Sequence, residues 1–206
     1  MTIRLHHRDL PDGHALGPIV AIDTETMGLE LGRDRLCVVQ LSRGDGSADV
    51  VKIEAGQTSA PNLTAMLADP SVLKLFHFAR FDMASLHRAF GVMPVPAYCT
   101  KIASKLARTY TDRHGLKDLS RELLGVDMSK QQQSSDWGAD ALSEAQLAYA
   151  ASDVLHLHAL RERLDMMLKR ESRDGHAAAA FAYLPARVRL DLEGFGAHDL
   201  FSHAAP

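Results

Sequence analysis

Residues 19–25 of the chain read IVAIDTE, and this stretch decides which fold the rest of the sequence must complete. Its apolar run, 19–22, is typical of a strand that is buried on both faces. Side chains alternate along a strand, so Asp23 and Glu25 project to the same side of the predicted sheet. Two such carboxylates fit a site for a hard cation, although an Asp-x-Glu pair after a strand is more often solvated.

Two further blocks supply carboxylates and a tyrosine. Asp82 lies near the start of a predicted helix, and Tyr149 and Asp153 are four residues apart on another. That spacing places the last two side chains one above the other on one helix face. Carboxylates suit Mg²⁺ or Mn²⁺, and two such ions about 4 Å apart can hold the attacking and leaving oxygens of one phosphate. The blocks together predict phosphodiester hydrolysis with two divalent cations.

The same blocks resemble the motifs of a known nuclease superfamily. Residues 22–29 (IDTETMGL), 77–82 (HFARFD) and 149–154 (YAASDV) are similar to the three exonuclease motifs of the DEDD superfamily. The tyrosine of the third motif is that of the DEDDy branch. Within that branch, residues 115–119 (GLKDL) and 135–137 (SDW) resemble the RNase D group.

This resemblance covers about residues 16–170 and implies an α/β fold of the RNase H-like (DEDD exonuclease) class. The expected architecture is a mixed central sheet flanked by helices. The resemblance also implies a 3′–5′ exonuclease that releases nucleoside 5′-monophosphates from the 3′ end of its substrate.

The resemblance assigns a role to each of the five core residues. Asp23, Glu25 and Asp153 would hold the first cation, and Asp23 would bridge to the second, whose shell Asp82 completes. Tyr149 would orient the attacking water. Because a phenol has a pKa near 10, it is a poor base at neutral pH, and positioning is its expected contribution.

Substrate contacts are expected immediately after the first motif, at Thr26, Met27, Gly28 and Leu29. Gly28 would let the backbone approach the substrate. Leu29 would wedge between the last two bases, or it would instead be a core leucine at a strand-to-loop corner. His77, at the start of the second motif, is either a substrate contact or a buried histidine at a strand end.

A polar loop, residues 129–135 (SKQQQSS), precedes the third motif. It is either a solvated connector or a substrate-facing loop in which Lys130 contacts a phosphate. Trp137 would stack on the substrate or anchor its loop. Residues 143–146 (SEAQ) match a capping box and predict the start of a long helix that continues to Lys169.

Further strands are expected at 36–41, 48–53 and 72–77 and near Tyr98, with an Asp-Gly hairpin joining the first two. Predicted helices cover 62–67, 82–90, 101–108, 116–124 and 177–183, and an irregular end follows the last of them.

We expect an exonuclease domain over residues 1–171 and a C-terminal tail over 172–206. The tail has too few residues for the extra nucleic-acid-binding domain of RNase D, so the chain looks closer to single-domain nanoRNases of the C type, which degrade very short RNA. Their ring architecture implies a homo-oligomer, with an octamer as one form, in which the tail packs between subunits. A tail folded back on its own domain is the alternative.

Composition narrows the class of protein. Of the 206 residues, 46% are hydrophobic and 24% charged, and no apolar run approaches the roughly 18 residues of a membrane span. The N-terminus lacks an apolar signal core, and Cys37 and Cys99 are expected to be reduced, so we expect a cytoplasmic protein. Zinc is not expected, since His156 and His158 point in different directions on a helix.

The formal net charge of −3 (23 basic against 26 acidic residues) favours a short substrate, since a protein that follows a long polyanion usually has a basic surface. Short single-stranded RNA, down to dinucleotides, is therefore the expected partner, and short DNA stays open. The alternatives are an RNase D-like enzyme that trims longer structured RNA such as tRNA precursors, a non-catalytic binding module and a DNA proofreading domain. Two departures from the RNase D pattern, DAL at 140–142 and Cys99, count against tRNA processing.

Overall fold

A mixed six-stranded sheet organises the chain, for which a computed structural model describes residues 2–129, 131–197, 200–201 and 203. The strands are β1 (Thr2–His7), β2 (Ile19–Thr26), β3 (Leu36–Ser42), β4 (Ser47–Lys52), β5 (Leu73–Phe76) and β6 (Ala97–Cys99). Their order is β1-β4-β3-β2-β5-β6. Because β2 is antiparallel to β3 and parallel to β5, the sheet is mixed, which confirms the predicted fold class.

Seven helices flank the sheet in the described part of the chain, and five further helical residues, Ser120–Leu124, continue the fourth of them as a π-helical turn. The helices are α1 (Pro61–Ala68), α2 (Ala79–Phe90), α3 (Thr100–Ala107), α4 (Leu116–Leu119), α5 (Glu144–Leu155), α6 (Leu157–Arg170) and α7 (Asp174–Leu192). None of the helices in this part of the chain is both long and apolar enough to cross a lipid bilayer.

Strand β2 contributes to the core on both sides of the sheet. Ile22 packs into the cluster formed with α1, α2 and α7, whereas Ala21 packs into the cluster formed with α3, α5 and α6. Since side chains alternate, Thr24 lies on the side of Ile22, and Asp23 and Glu25 lie on the side of Ala21. One strand therefore directs side chains towards both α2 and α5, as a site shared between these helices requires.

The predicted hairpin is present between β3 and β4. These strands are antiparallel, with Val39 opposite Val51 and Leu41 opposite Asp49. In the connecting turn, the Asp45 carboxylate accepts hydrogen bonds from the backbone N–H and the hydroxyl of Ser47, at 2.9 and 2.6 Å. This short turn keeps β3 adjacent to β2.

One strand and one helix break were not predicted from the sequence. Strand β1 was not predicted, yet it pairs in parallel with β4 at the edge of the sheet. The long helix expected to reach Lys169 divides at His156, where α5 ends and α6 begins. Both helices bury apolar residues in the same core cluster, so the sequence periodicity continues across a helix break that it does not reveal.

The expected irregular end after residue 183 was also wrong, because α7 runs through Pro185 to Leu192. Proline removes one N–H hydrogen bond from the helix interior. Burial offsets that cost, since Leu184 and Val188 are fully or almost fully buried in the cluster that contains α2. This helix therefore belongs to the core of its own chain.

Candidate active site

Three carboxylates converge at the end of β2. Asp23, Glu25 and Asp153 each offer a ligand oxygen, and these three atoms lie within 4.8 Å of one another. They line a cavity of about 330 Å³ together with Asp82 and Tyr149. The structure thus brings together all five residues that the motifs singled out.

Helix α5 fixes the position of Tyr149 and Asp153. Its N-terminus carries the predicted capping box, in which the backbone N–H of Gln146 donates to the Ser143 hydroxyl at 3.2 Å and that of Ser143 donates to the Gln146 side chain at 2.9 Å. Ala150 and Ala151 are fully buried against the sheet. The two functional side chains therefore project from a helix that is held at its start and along its length.

Asp82 reaches the site from the other side of β2. It lies in the first turn of α2, and its carboxylate accepts a hydrogen bond of 2.7 Å from the hydroxyl of Thr24. Both side chains are buried. Asp82 is outside the group of three ligands but close enough to Asp23 to raise the pKa of that carboxyl.

Burial and mutual repulsion disfavour the charged state of these carboxyls. Burial is the main cause that raises the pKa of Asp23 well above its usual value, followed by the charges of Asp82, Asp153 and Glu25. Burial likewise raises the pKa of Glu25 to about 9 and those of Asp82 and Asp153 to about 7. A cluster of this kind is stabilised by a positive charge among the carboxylates.

The phenol of Tyr149 faces the same charges. Burial raises its pKa above the usual value near 10, and the carboxylates of Asp153, Glu25 and Asp23 raise it further. A hydrogen bond from the phenol partly opposes the rise in the pKa of Asp153. Tyr149 therefore stays protonated at neutral pH and acts as a hydrogen-bond donor.

The donor set suits a hard divalent cation. A second group of possible ligands, His6, His14 and Asp49, shows the contrast. There the guanidinium of Arg4 donates to both oxygens of Asp49, at 2.9 and 3.2 Å, so its negative charge is already compensated. No arginine or lysine pairs with Asp23, Glu25 or Asp153 within the described residues, and all their ligand atoms are oxygens, which Mg²⁺ and Mn²⁺ prefer.

The predicted substrate contacts separate into two sets. Thr26, Leu29 and His77 line the cavity, but Met27 and Gly28 do not. Leu29 is 83% exposed, which excludes the alternative of a core leucine. Lys130 lies outside the described residues.

The structure gives a reason for a glycine at position 28 that the sequence does not show. A Cβ on this glycine would lie 2.3 Å from an oxygen of the Asp34 side chain, so a larger residue would displace that carboxylate. Its carbonyl also accepts a hydrogen bond of 2.5 Å from the Thr26 hydroxyl. The tight turn presents Leu29 at the edge of the cavity.

His77 and Trp137 are both held by the protein. His77 Nδ1 lies 2.9 Å from the Thr100 hydroxyl, and burial, with a smaller effect of Lys101, lowers the pKa of His77 to about 3. Its imidazole is therefore neutral where it lines the cavity. Trp137 is 2% exposed and its ring centroid lies 6.0 Å from that of Tyr149, so it anchors its loop behind the site and is not available for stacking on a substrate.

Sequence reasoning missed several residues of the site. The amide of Gln40 lies 3.5 Å from an oxygen of Asp23 and 3.5 Å from one of Glu25, and Thr24 holds Asp82. A lone glutamine in the apolar strand β3 was the available signal for Gln40. Phe78, Phe81 and Lys117 also line the cavity; the first two belong to the quoted second motif and the third to the GLKDL segment.

Comparisons with known proteins agree with this geometry. A family described as 3′-5′ exonuclease matches residues 9–169. The chain is 39% identical over 178 residues to Ribonuclease D of Gluconacetobacter diazotrophicus, covering 85% of this chain and 45% of that protein. It is 36% identical over 151 residues to DNA polymerase I of Aquifex aeolicus, of which it covers 24%. The chain thus spans less than half the length of these curated relatives.

Solved structures are also similar to this chain, two of them over 99% of its length. Brucella melitensis NrnC with bound Mg²⁺ is 58% identical, with a TM-score of 0.95 over 99% of this chain and 100% of that one. Brucella melitensis NrnC bound to pGG is 59% identical, with a TM-score of 0.96 and the same coverage. Escherichia coli RNase D is 27% identical with a TM-score of 0.74, over 83% of this chain and 45% of that one.

Proposed function

Since the chain belongs to the 3′–5′ exonuclease family, we propose that it hydrolyses short single-stranded RNA, down to dinucleotides, to nucleoside 5′-monophosphates. The main support is the likeness to NrnC bound to pGG, which extends over all of that chain. The likeness to Ribonuclease D, by contrast, covers less than half of the relative. A cavity of about 330 Å³ around the carboxylates is consistent with a small ligand.

We propose two Mg²⁺ or Mn²⁺ ions as the cofactors. Asp23, Glu25 and Asp153 would hold one, and Asp23 and Asp82 the other. When bound, such ions stabilise negative charge on a reacting phosphate and make water a better nucleophile. The support is the all-oxygen donor set and the bound Mg²⁺ of the related NrnC structure.

The chain's own residues would supply orientation and rigidity. The protonated phenol of Tyr149 hydrogen-bonds to Asp153, and in the reaction it would hold the attacking water in line with the phosphate. Thr24 fixes the rotamer of Asp82 through the 2.7 Å hydrogen bond, and Gln40 lies between Asp23 and Glu25. The carboxylates are therefore oriented by neighbours that do not ionise.

The residues at the edge of the cavity are candidates for substrate contacts. We propose that Leu29 separates the last two bases and that Thr26 and His77 bind near the terminal nucleotide, because all three line the cavity. Met27 and Gly28 would shape the loop that carries Leu29. Lys130 is proposed as a phosphate contact.

Cleavage of a length series tests the proposal. Purified protein is incubated with 5′-labelled RNA of two to about twenty nucleotides at physiological salt, with Mg²⁺, with Mn²⁺ or with EDTA. We expect the highest kcat/KM on the shortest substrates and none in EDTA. Equal efficiency on the shortest and longest substrates would favour RNase D-like trimming instead.

Matched variants complete this experiment. Asp153→Asn removes one ligand from α5, whereas Glu144→Gln changes an exposed carboxylate at the start of the same helix, outside the cavity. We expect the first to lose more than about a hundredfold in kcat and the second to match the wild type. An inactive Glu144→Gln variant would mean that changes anywhere in α5 disable the protein, and the assignment of Asp153 would fall.

We also propose assembly into a homo-oligomer in the cytoplasm. Among the described residues of the C-terminal region, four large apolar side chains stay exposed, namely Tyr183 at 38%, Phe195 at 43%, Leu200 at 48% and Phe201 at 83%. The rings of Tyr183 and Phe201 lie together, with centroids 6.2 Å apart, and exposed apolar groups that cluster in this way often mark an interface. Whether residues 172–206 form a separate unit remains part of this proposal, since α7 also packs on its own chain.

A further inference from the structure

We infer that Phe78 and Lys101 form a stacking platform that binds one nucleobase of the substrate at the mouth of the cavity. This inference rests on the proposed function, because it assumes a nucleic-acid substrate. The site is otherwise built from carboxylates, and the platform would make it select for a substrate with an intact base.

The first observation is where the ring of Phe78 lies. Phe78 connects β5 to α2, lines the cavity with Asp82 and Asp153, and is 42% exposed. Phe76, two residues earlier at the end of β5, is fully buried in the core. The core is therefore complete without Phe78, whose ring contributes an apolar surface directly beside the carboxylates.

The second observation is the backbone of Phe78. Its φ is 70° and its ψ 42°, in the left-handed region that glycine and asparagine adopt most easily. Among the described residues, only Arg8 and Ser172 are other non-glycine residues with positive φ, so Phe78 is the one aromatic. Such strain is usually found where function requires it. A glycine or asparagine would adopt this backbone with less strain, yet the position carries a large aromatic side chain.

The third observation is the cation beside the ring. Lys101, in the first turn of α3, places its Nζ 4.4 Å from the centroid of the Phe78 ring. This is within cation–π distance. Within the described part of the chain Lys101 has no carboxylate partner in an ion pair, so its charge is available to a phosphate that approaches the ring.

The fourth observation is the partner surface across the cavity. Leu29 is 83% exposed and lines the same cavity as Phe78. Two exposed apolar side chains beside one set of carboxylates provide two places for bases, and a dinucleotide has two bases. Aromatic side chains bind bases through their flat faces with little dependence on sequence, which suits an enzyme that degrades any short RNA.

Substrates that lack one base test the platform. Three dinucleotides are compared: one intact, one abasic at the 5′ position and one abasic at the 3′ position. Phe78→Asn removes the ring but tolerates the left-handed backbone, and Phe78→Trp keeps a stacking surface. We expect Phe78→Asn to raise KM for the intact dinucleotide by about 5- to 150-fold with little change in kcat, and Phe78→Trp to stay near the wild type.

The abasic substrates separate stacking from structure. For the substrate without the base that stacks on Phe78, wild type and Phe78→Asn should have the same KM. An equal rise in KM of Phe78→Asn on all three substrates would show that Phe78 only supports the fold. KM values of this variant within about twofold of the wild type on every substrate would also overturn the inference.

A binding measurement keeps this test separate from the proposed function. If the wild type cleaves no dinucleotide, the proposed specificity fails, and the platform is then tested by binding of longer RNA. Calorimetry on Asp153→Asn, with and without Phe78→Asn, measures the affinity directly. Tighter binding in the presence of the ring would support the platform, and equal affinities would reject it.

Discussion

At the scale of single residues, the carboxylate cluster lowers the stability of the folded chain, and this effect should be measurable without any substrate. The pKa values of Asp82 and Asp153 are raised to about 7, mainly by burial, from their usual value of 3.8. Between those two pH values the folded chain binds protons that the unfolded chain has released. The free energy of unfolding therefore falls as pH rises through this window.

We expect the fall in the free energy of unfolding with pH to depend on Asp153. In EDTA, the Tm of the wild type should fall between pH 5 and pH 8 more steeply than that of Asp153→Asn, because the variant has one repelling carboxylate fewer. Differential scanning fluorimetry measures Tm against pH, with Glu144→Gln as the control. Mn²⁺ at pH 8 should raise the Tm of the wild type by more than that of Asp153→Asn. Parallel curves for all three proteins would contradict the electrostatic description of the cluster.

Tyr149→Phe tests the positioning role of the phenol. Turnover at saturating substrate should fall by roughly ten- to a thousandfold while KM changes little, as expected when one positioning contact is lost. Because the pKa of Tyr149 is raised above its usual value, the phenol should not contribute an ionisation to the pH–rate profile of the wild type near neutrality. Unchanged turnover in the variant would show that the hydroxyl is not involved.

The residues of the site were predictable to different degrees. The motifs identified Asp23, Glu25, Asp82, Tyr149 and Asp153 because their chemistry and order are specific. Neighbours whose role depends on contacts across the sheet were not predictable, because a glutamine, a threonine or a phenylalanine has no such signature in one sequence; these are Gln40, Thr24 and Phe78.

At the scale of elements, α7 is connected to the site through α2. Arg80, two residues before Asp82, donates to both oxygens of Asp191 at 2.8 and 2.6 Å, and Arg187 lies 2.8 Å from the same carboxylate. Asp191 therefore holds the start of α2 against α7. A charge-assisted bidentate pair of this kind is stronger than an ordinary hydrogen bond.

We expect Asp191→Asn to lower the Tm by several degrees and kcat by a few-fold, since a partly buried Arg80 loses its charged partner and α2 gains freedom next to Asp82. Thermal denaturation and single-turnover kinetics measure the two effects. Glu193→Gln, at an exposed position two residues later, is the matched control. A variant with normal Tm and normal kcat would mean that this pair does not hold the helix.

Elements with a buried face were predictable, whereas those that depend on neighbours were not. The apolar run of β2 and the Asp-Gly hairpin specify their structure locally. Strand β1 needs β4 beside it, and the helix through Pro185 needs the core that buries Leu184 and Val188. Local signals, including the proline, favoured an irregular segment there, and tertiary packing overrode them.

At the scale of the whole molecule, the position of α7 changes how the tail should be tested. A chain that ends at Glu171 would lose Leu184 and Val188 from its core, and we expect it to aggregate or unfold. A chain that ends at Leu192 keeps both residues. Comparison of the two by circular dichroism separates loss of fold from loss of assembly.

Light scattering then tests the homo-oligomer. Full-length protein at micromolar concentration should have several times the monomer mass, and the chain that ends at Leu192 should be smaller if Leu200 and Phe201 lie in the interface. A monomeric full-length protein would reject assembly and leave the catalytic assignment unaffected. The proposed preference for short RNA rests on family resemblance, because length selection depends on walls around the cavity that one sequence does not specify.

The proposed cation ligands come from segments far apart in the sequence: β2, α2 and α5. Asp153 therefore joins Asp23 and Glu25 only when α5 has docked on the finished sheet. A chain still emerging from the ribosome has no complete set of ligands, however long its first strands have been folded. Assembly of the proposed cation site is therefore tied to completion of the fold.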